Sequence, residues 1–167
     1  MRKKISMLLF MLLISVGAMQ TVQAQLQIGG GLIYGTEIEE FGIQGNATLN
    51  IPGPIRLAAD IGIFFVDDVG NLDTSLWEIN FNGHYLFPGI PKANVYGLAG
   101  INIVTASVEG QVLGVTFDES DSELGLNVGG GAEIPIGFAK LFGELKYVLG
   151  DADQAVFTGG LRFSIGK

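Results

Sequence analysis

Between Trp77 and Phe87 the chain alternates with a period of two. Trp77, Ile79, Phe81, Gly83, Tyr85 and Phe87 fall on one side, and Glu78, Asn80, Asn82 and His84 on the other. Successive side chains of a strand point to opposite faces, so this segment is predicted to be a strand with one apolar and one polar face. The segment before it sets Ile55, Leu57, Ala59, Ile61, Ile63 and Phe65 against Arg56, Ala58, Asp60 and Gly62. Phe41, Ile43, Ala47, Leu49 and Ile51 likewise oppose Gln44, Asn46, Thr48 and Asn50. Further along, Leu124, Leu126, Val128 and Ile134 oppose Glu123, Asn127 and Glu133, and Leu141, Leu145, Tyr147 and Leu149 oppose Lys140, Glu144 and Lys146. Eight such segments are predicted, near 25–35, 41–51, 55–65, 76–87, 94–106, 123–134, 139–150 and 155–166. The first and fifth are blurred by glycine and by apolar residues on both faces. Each is long enough to cross a bilayer as a tilted strand, and no helical period competes after residue 24.

The connections come in two kinds that alternate strictly. Pro52-Gly53-Pro54, Pro88-Gly89-Ile90-Pro91 and Pro135-Ile136-Gly137 are short and proline-bearing. Thr36–Glu40, Val66–Ser75, Ser107–Ser122 and Asp151–Gln154 are acidic. In an up-and-down meander alternate connections lie at the same end, so one end has tight turns and the other has acidic loops. That asymmetry is expected of an outer-membrane barrel.

The first 24 residues read differently. Arg2, Lys3 and Lys4 precede an apolar run that ends in Val22-Gln23-Ala24, a small-x-small cleavage pattern. This is the form of a secretory signal peptide, and its apolar core is short for a membrane helix. The expected division is a leader over 1–24 and one barrel domain over 25–167. Removing the leader's three basic residues from the chain's nine leaves six, against seventeen acidic, a formal charge of −11. Such a chain repels nucleic acid. There is no cysteine, hence no disulfide framework or thiol chemistry.

Alternation alone leaves open which face is outside, because a soluble ligand-carrying barrel has the same period with its apolar face inward. Three features favour apolar-out. The polar face carries few charges, and they nearly balance: Asp60, Glu78, Glu123, Glu133 and Glu144 against Arg56, Lys140, Lys146 and Arg162. Balance suits a closed interior, where an unpaired charge is expensive. Aromatic residues gather near the strand ends, as girdles at the headgroups require. Tyr34, Phe41, Phe65, Trp77, Tyr147 and Phe157 lie towards the acidic loops, and Tyr85, Phe87 and Phe163 towards the turns. Finally, the apolar face holds no Lys, Arg, Asp or Glu. The predicted fold is therefore all-β, an eight-stranded antiparallel up-and-down transmembrane β-barrel.

The leader, the eight strands and the two loop classes together resemble the small porin-like outer-membrane β-barrel proteins of Gram-negative bacteria, which include the OmpA transmembrane domain and OmpX. The last strand is similar to that family's assembly signal at Thr158, Gly160, Phe163 and Ile165, and departs from it by ending in Gly166-Lys167 instead of an aromatic residue. The resemblance implies residence in the outer membrane with lipid as a partner.

Little in the chain points to catalysis. Some barrels of this kind modify lipid A with His, Ser and an acid facing lipid. The sole histidine, His84, is predicted on the polar, inward face with no serine beside it. The carboxylates are read as members of a structural polar network: Arg56, Asp60, Glu78, His84, Glu133, Lys140, Glu144, Lys146 and Arg162. Hairpin geometry is expected to set Glu133 opposite Lys140, Glu144 opposite Arg162, Arg56 near His84 and Asp60 near Asn80. Gly29–Gly31 and Gly129–Gly131 lack the Gly-Lys-Ser/Thr of a phosphate loop, and are read as packing devices. No cofactor and no strong metal site is expected. The acidic loops offer weak divalent-cation contacts at Glu37, Glu39, Glu40, Asp67, Asp68, Asp118, Glu119 and Asp121, able to bridge lipopolysaccharide phosphates. The loop 107–122 also contains Val112, Leu113, Val115 and Phe117, and is read as a hairpin around Gly114 that could recruit a surface protein by strand addition. The expected role is thus a barrel with a filled polar interior and a structural or surface-interaction function. The rivals are a narrow passive channel, a lipid-modifying enzyme and a soluble periplasmic carrier.

Overall fold

The computed structural model of the protein describes residues 25–67, 72–112, 115–151 and 153–165. The expected leader lies outside the described residues, as does Asp68. The strands are β1 (Gln25–Gly35), β2 (Glu40–Asn50), β3 (Ile55–Phe64), β4 (Leu72–Phe87), β5 (Asn94–Val112), β6 (Val115–Pro135), β7 (Lys140–Leu149) and β8 (Gln154–Ile165). Each pairs antiparallel with the next, and β8 returns to β1, so the sheet closes into an eight-stranded barrel. Closure leaves no edge within the wall, as a lipid environment demands. The tight turns contain Gly53, Gly89 and Gly137, with φ of 99°, 88° and 79°, a region where a side chain is strained.

The register fixes the barrel's shape. One row of paired residues runs Gln25–Asn50–Arg56–His84–Leu98–Gly129–Lys146–Val156 and comes back to β1 at Gly35, ten residues beyond its start. A stagger of that size around eight strands corresponds to a tilt of roughly 40° and a backbone radius of about 8 Å, an interior just wide enough for side chains to fill.

The polarity of a soluble protein is inverted here. Arg56, Glu78, Glu133 and Lys146 are at most 1% exposed, whereas Ile43, Ile61, Leu145 and Phe157 are nearly half exposed. Charged residues are almost never this buried unless paired. Towards the acidic end the interior turns apolar. Ile33, Phe64, Val148 and Val156 form a buried cluster, with Ile38, Val66 and Leu76 packed against it. These four buried residues occupy inward positions of their strands, so they plug the lumen.

Three expectations need correction. Three strands run past the bounds expected for them: β4 starts at Leu72 instead of 76, β5 runs to Val112 and β6 starts at Val115, so the described residues of 107–122 pair as the two arms of the hairpin expected there. Glu133 pairs with Phe142, not Lys140, because Pro135 is the last residue of β6 and pairs with Lys140 across a turn at 136–139. Glu144 pairs with Thr158 and Arg162 with Lys140, because β8 begins at Gln154 opposite Val148.

Candidate functional site

The lumen side chains form two connected polar clusters below the plug. The one nearer the turns is built around Glu133. Its Oε2 accepts from Arg56 Nη1 at 2.8 Å and Arg162 Nη1 at 3.3 Å, and its Oε1 from Lys140 Nζ at 2.9 Å and Asn94 Nδ2 at 3.0 Å. Four donors from four strands thus converge on one carboxylate, which offsets the desolvation of that charge. Arg162 also donates to Asn46 and to Tyr96 Oη, and lies 3.6 Å from Glu144, while Tyr96 Oη donates to Glu144 at 2.8 Å. The Arg162 guanidinium sits 3.9 Å from the centre of the Phe142 ring. Arg56 lies over Tyr96, and His84 stacks on the same ring at 4.6 Å.

Deeper in the barrel, Lys146 donates to Glu78 at 2.7 Å and lies 4.0 Å from Asp60. Asn80 donates to Asp60 and Glu78, Asn102 to Glu78 and Asn80, and Asn127 to Asn80 and Asn82. Arg56, Asp60, Glu78, His84, Glu133, Glu144, Lys146 and Arg162 are buried in the lumen and Lys140 is partly exposed, whereas Glu123, on the same face of β6, lies above the last residue that pairs with β7 and is half-buried. Arg56 stands beside His84 and Asp60 beside Asn80 in register. The Glu133–Lys140 and Glu144–Arg162 contacts form as well, diagonally instead of directly across, within reach of long side chains.

Not legible in the sequence were Tyr96, the partners of Asn82, Asn94, Asn102 and Asn127, and the apolar plug. Tyr96 and Leu98 face inward from β5, where both faces are apolar and alternation gives no signal. The glycine runs make room for this interior. A Cβ on Gly131 would lie 2.6 Å from Tyr96 Cζ, and one on Gly29 would lie 2.8 Å from Arg162 Cγ.

His84 Nδ1 faces Arg56 Nε at 3.3 Å and Nη2 at 3.1 Å. Arginine only donates, so Nδ1 accepts and the ring is the neutral Nε2–H tautomer. A histidine held this way is not a general base beside a serine.

Outside, aromatic residues lie near both ends of the strands. Phe41, Phe65, Tyr147 and Phe157 are exposed towards the acidic end, with Tyr34 and Trp77 partly covered, and Tyr85, Phe87 and Phe163 are exposed towards the turns. Phe138, in the last turn, is the most exposed large apolar residue among those described, and stacks on Phe163 at 6.2 Å. Tyr147 Oη donates to Asp153 at 2.5 Å, tying one ring to an acidic connection.

Beyond the acidic rim, β4, β5 and β6 run on as a three-stranded sheet. β6 pairs with β7 only from Leu126, so among the described residues Val115–Gly125 is paired on one side alone. Ser107 and Ser120 bond across this sheet at 3.1 Å, and Thr105 and Ser122 at 2.9 Å. Glu37 and Glu39 lie on the β1–β2 connection and Glu40 opens β2; Asp67 follows β3, while Asp118, Glu119 and Asp121 lie on β6 itself. Among the described residues no three His, Asp or Glu side chains converge on a metal-sized point.

No protein-family model matches the chain, and no curated protein matches it in sequence. Solved structures do match in fold. Neisserial surface protein A superposes with a TM-score of 0.63 at 17% identity, over 85% of this chain and 97% of that one. A major outer membrane protein from Thermus thermophilus gives 0.65 at 14% identity, over 85% and 99%. The attachment invasion locus protein Ail of Yersinia pestis, in complex with the heparin analogue sucrose octasulfate, gives 0.62 at 14%, over 85% and 97%. The chain therefore has the fold of the small eight-stranded outer-membrane barrels.

Proposed function

We propose that the protein is an integral outer-membrane barrel with a closed lumen, acting at the cell surface through the acidic sheet that β4, β5 and β6 raise above the rim. The observation that carries this reading is the one-sided pairing of β6 from Val115 to Gly125. Strand edges of this length recruit other backbones unless they are shielded. The apolar outer wall supports the location, since a belt of half-exposed Ile, Leu and Phe would be unstable in water.

A passive channel is disfavoured by the Ile33–Phe64–Val148–Val156 plug and by side chains that bridge the lumen beneath it. A lipid-modifying enzyme is disfavoured by the inward seat of His84. A soluble carrier is disfavoured by an interior bridged by buried ion pairs. Ail binds a polysulfated molecule, but the surface sheet here carries Asp73, Glu109, Asp118, Glu119 and Asp121 with no Lys or Arg among 72–76 or 105–125, so its complementary partner is cationic. Divalent cations gathered by the acidic rim would bridge it to lipopolysaccharide phosphates as a diffuse layer.

The reading is tested by comparing the full protein with a variant lacking 110–118, both in nanodiscs, for capture of an extended lysine-rich peptide. The wild type should bind and the deletion should not, while both keep the heat-dependent gel shift of a folded barrel. Equal capture by the two would contradict it. Planar-bilayer recordings of the wild type should show no conductance steps.

A further inference from the structure

The turn end of the barrel differs from the acidic end in both shape and charge. It opens into a mouth of about 680 Å³. The floor is Glu133 with Lys140, and the wall passes over Leu86 to Tyr85 and Phe87, then between the turns at Pro54 and Ile90. Tyr85 and Phe87 point outward, about half exposed, and meet edge to face at 5.5 Å. The concavity is therefore a notch, polar inside and apolar where it crosses the rim onto the lipid-facing wall. Ligand sites have this size and this mix of apolar wall with a few placed polar groups.

The charge at this end is opposite in sign to that of the acidic end. Glu133 and Glu144 neutralise two of the three cations Arg56, Lys140 and Arg162, which leaves one positive charge in surplus near the floor. Lys140 is the member that reaches solvent, with 23% of its side chain exposed. Lys92, exposed in the β4–β5 turn, is the other accessible charge here, and among the described residues no exposed carboxylate accompanies them. Glu133 already accepts from four donors and does not need Lys140's remaining protons. Those protons are available to an incoming anion.

We propose that this notch holds an anionic phospholipid of the adjoining leaflet, with its phosphate at Lys140 and Lys92 and one acyl chain passing out over Leu86 and Phe87. The site rests on the membrane reading above, because its apolar side opens onto the wall that reading places in hydrocarbon. It is independent of the acidic sheet at the other end.

The test uses nanodiscs of equimolar phosphatidylcholine and phosphatidylglycerol. The full protein is exchanged into mild non-ionic detergent, and retained lipid is counted by native mass spectrometry. Phosphatidylglycerol should be retained over phosphatidylcholine. Lys140→Gln and Lys92→Gln should each cut that retention, with a loss of about tenfold at Lys140, where a charge-assisted bond disappears. Lys92→Gln touches no lumen ion pair, so it reports on the site even if Lys140→Gln weakens the barrel. Retention without headgroup preference would overturn the proposal, as would retention unchanged by both variants. Displacement by soluble glycerol phosphate at similar concentration would overturn it too, because the apolar wall would then add nothing. Failure of the chain to enter nanodiscs would remove the membrane reading together with this one; insertion without selective retention would remove this one alone.

Discussion

Arg56 Nη1 reaches Glu133 Oε2 at 2.8 Å from strands that share no ladder, so this ion pair braces the barrel across its lumen. Lys140 and Arg162 converge on the same carboxylate. Glu133→Gln keeps the shape and removes the charge, leaving three buried or half-buried cations to share Glu144. The expected cost is about 3–5 kcal/mol, the range for breaking a buried pair. The unfolding free energy from urea titration in lipid vesicles should fall accordingly, while Glu37→Gln, on an exposed connection, should change it by no more than about 0.5 kcal/mol.

Tyr96 and Gly131 occupy space that only one side chain can have. Gly131→Ala places its Cβ against the tyrosine ring and should cost about 1–3 kcal/mol. In a Tyr96→Leu background the same change should cost less, although not nothing, because the Gly143 carbonyl oxygen also lies 2.7 Å from that Cβ position. A double-mutant cycle on unfolding in vesicles measures the coupling. Strict additivity would show that Tyr96 does not set the need for glycine.

The outer wall should resist charge according to depth. Ile61→Lys and Leu145→Lys lie in the middle of the apolar belt and are expected to cost about 2–4 kcal/mol, whereas Phe87→Lys near the rim should cost about 0–1 kcal/mol. Unfolding free energies in vesicles separate the two classes. Equal small costs at all three positions would mean that the wall faces water.

Asp73, Glu109 and Asp118 are register partners on three neighbouring strands, so three acidic positions share one row of the surface sheet. Like charges directly opposite each other destabilise a sheet. Glu109→Gln, at the centre of the row, should slow amide hydrogen exchange in β5 and β6 above the rim by roughly 1.5- to 5-fold, corresponding to about 0.2–1 kcal/mol. The gain should shrink as salt is added.

The strands were legible in the sequence because lipid imposes a strict rule on one face. Ile43, Ile61 and Leu145 cannot be exchanged for charges, so period-two alternation survives in β2, β3 and β7. The interior obeys a looser rule. It needs only satisfied hydrogen bonds and filled space, and it accepts Tyr96, Leu98 or Phe142 as readily as Asn102. That is why β5 was blurred and Tyr96 escaped notice. Lumen partners such as Arg56 and Glu133 meet through the barrel's interior, not across a hairpin, and no local spacing encodes that distance. The plug was hidden for a related reason: Ile33, Phe64, Val148 and Val156 break the alternation at the strand ends, where a lapse reads as a boundary. The paired surface sheet was partly legible, from the apolar residues around Gly114.

The central claim is that the greasy wall is in hydrocarbon and the charged residues are within. Nitroxide labels at positions 43, 61 and 145 of the protein in bilayers test it most directly, through relaxation by molecular oxygen and by a water-soluble nickel complex. Strong relaxation by oxygen with little effect of nickel at all three sites is the predicted result. Ready access of the nickel complex to these positions in the folded barrel would contradict it.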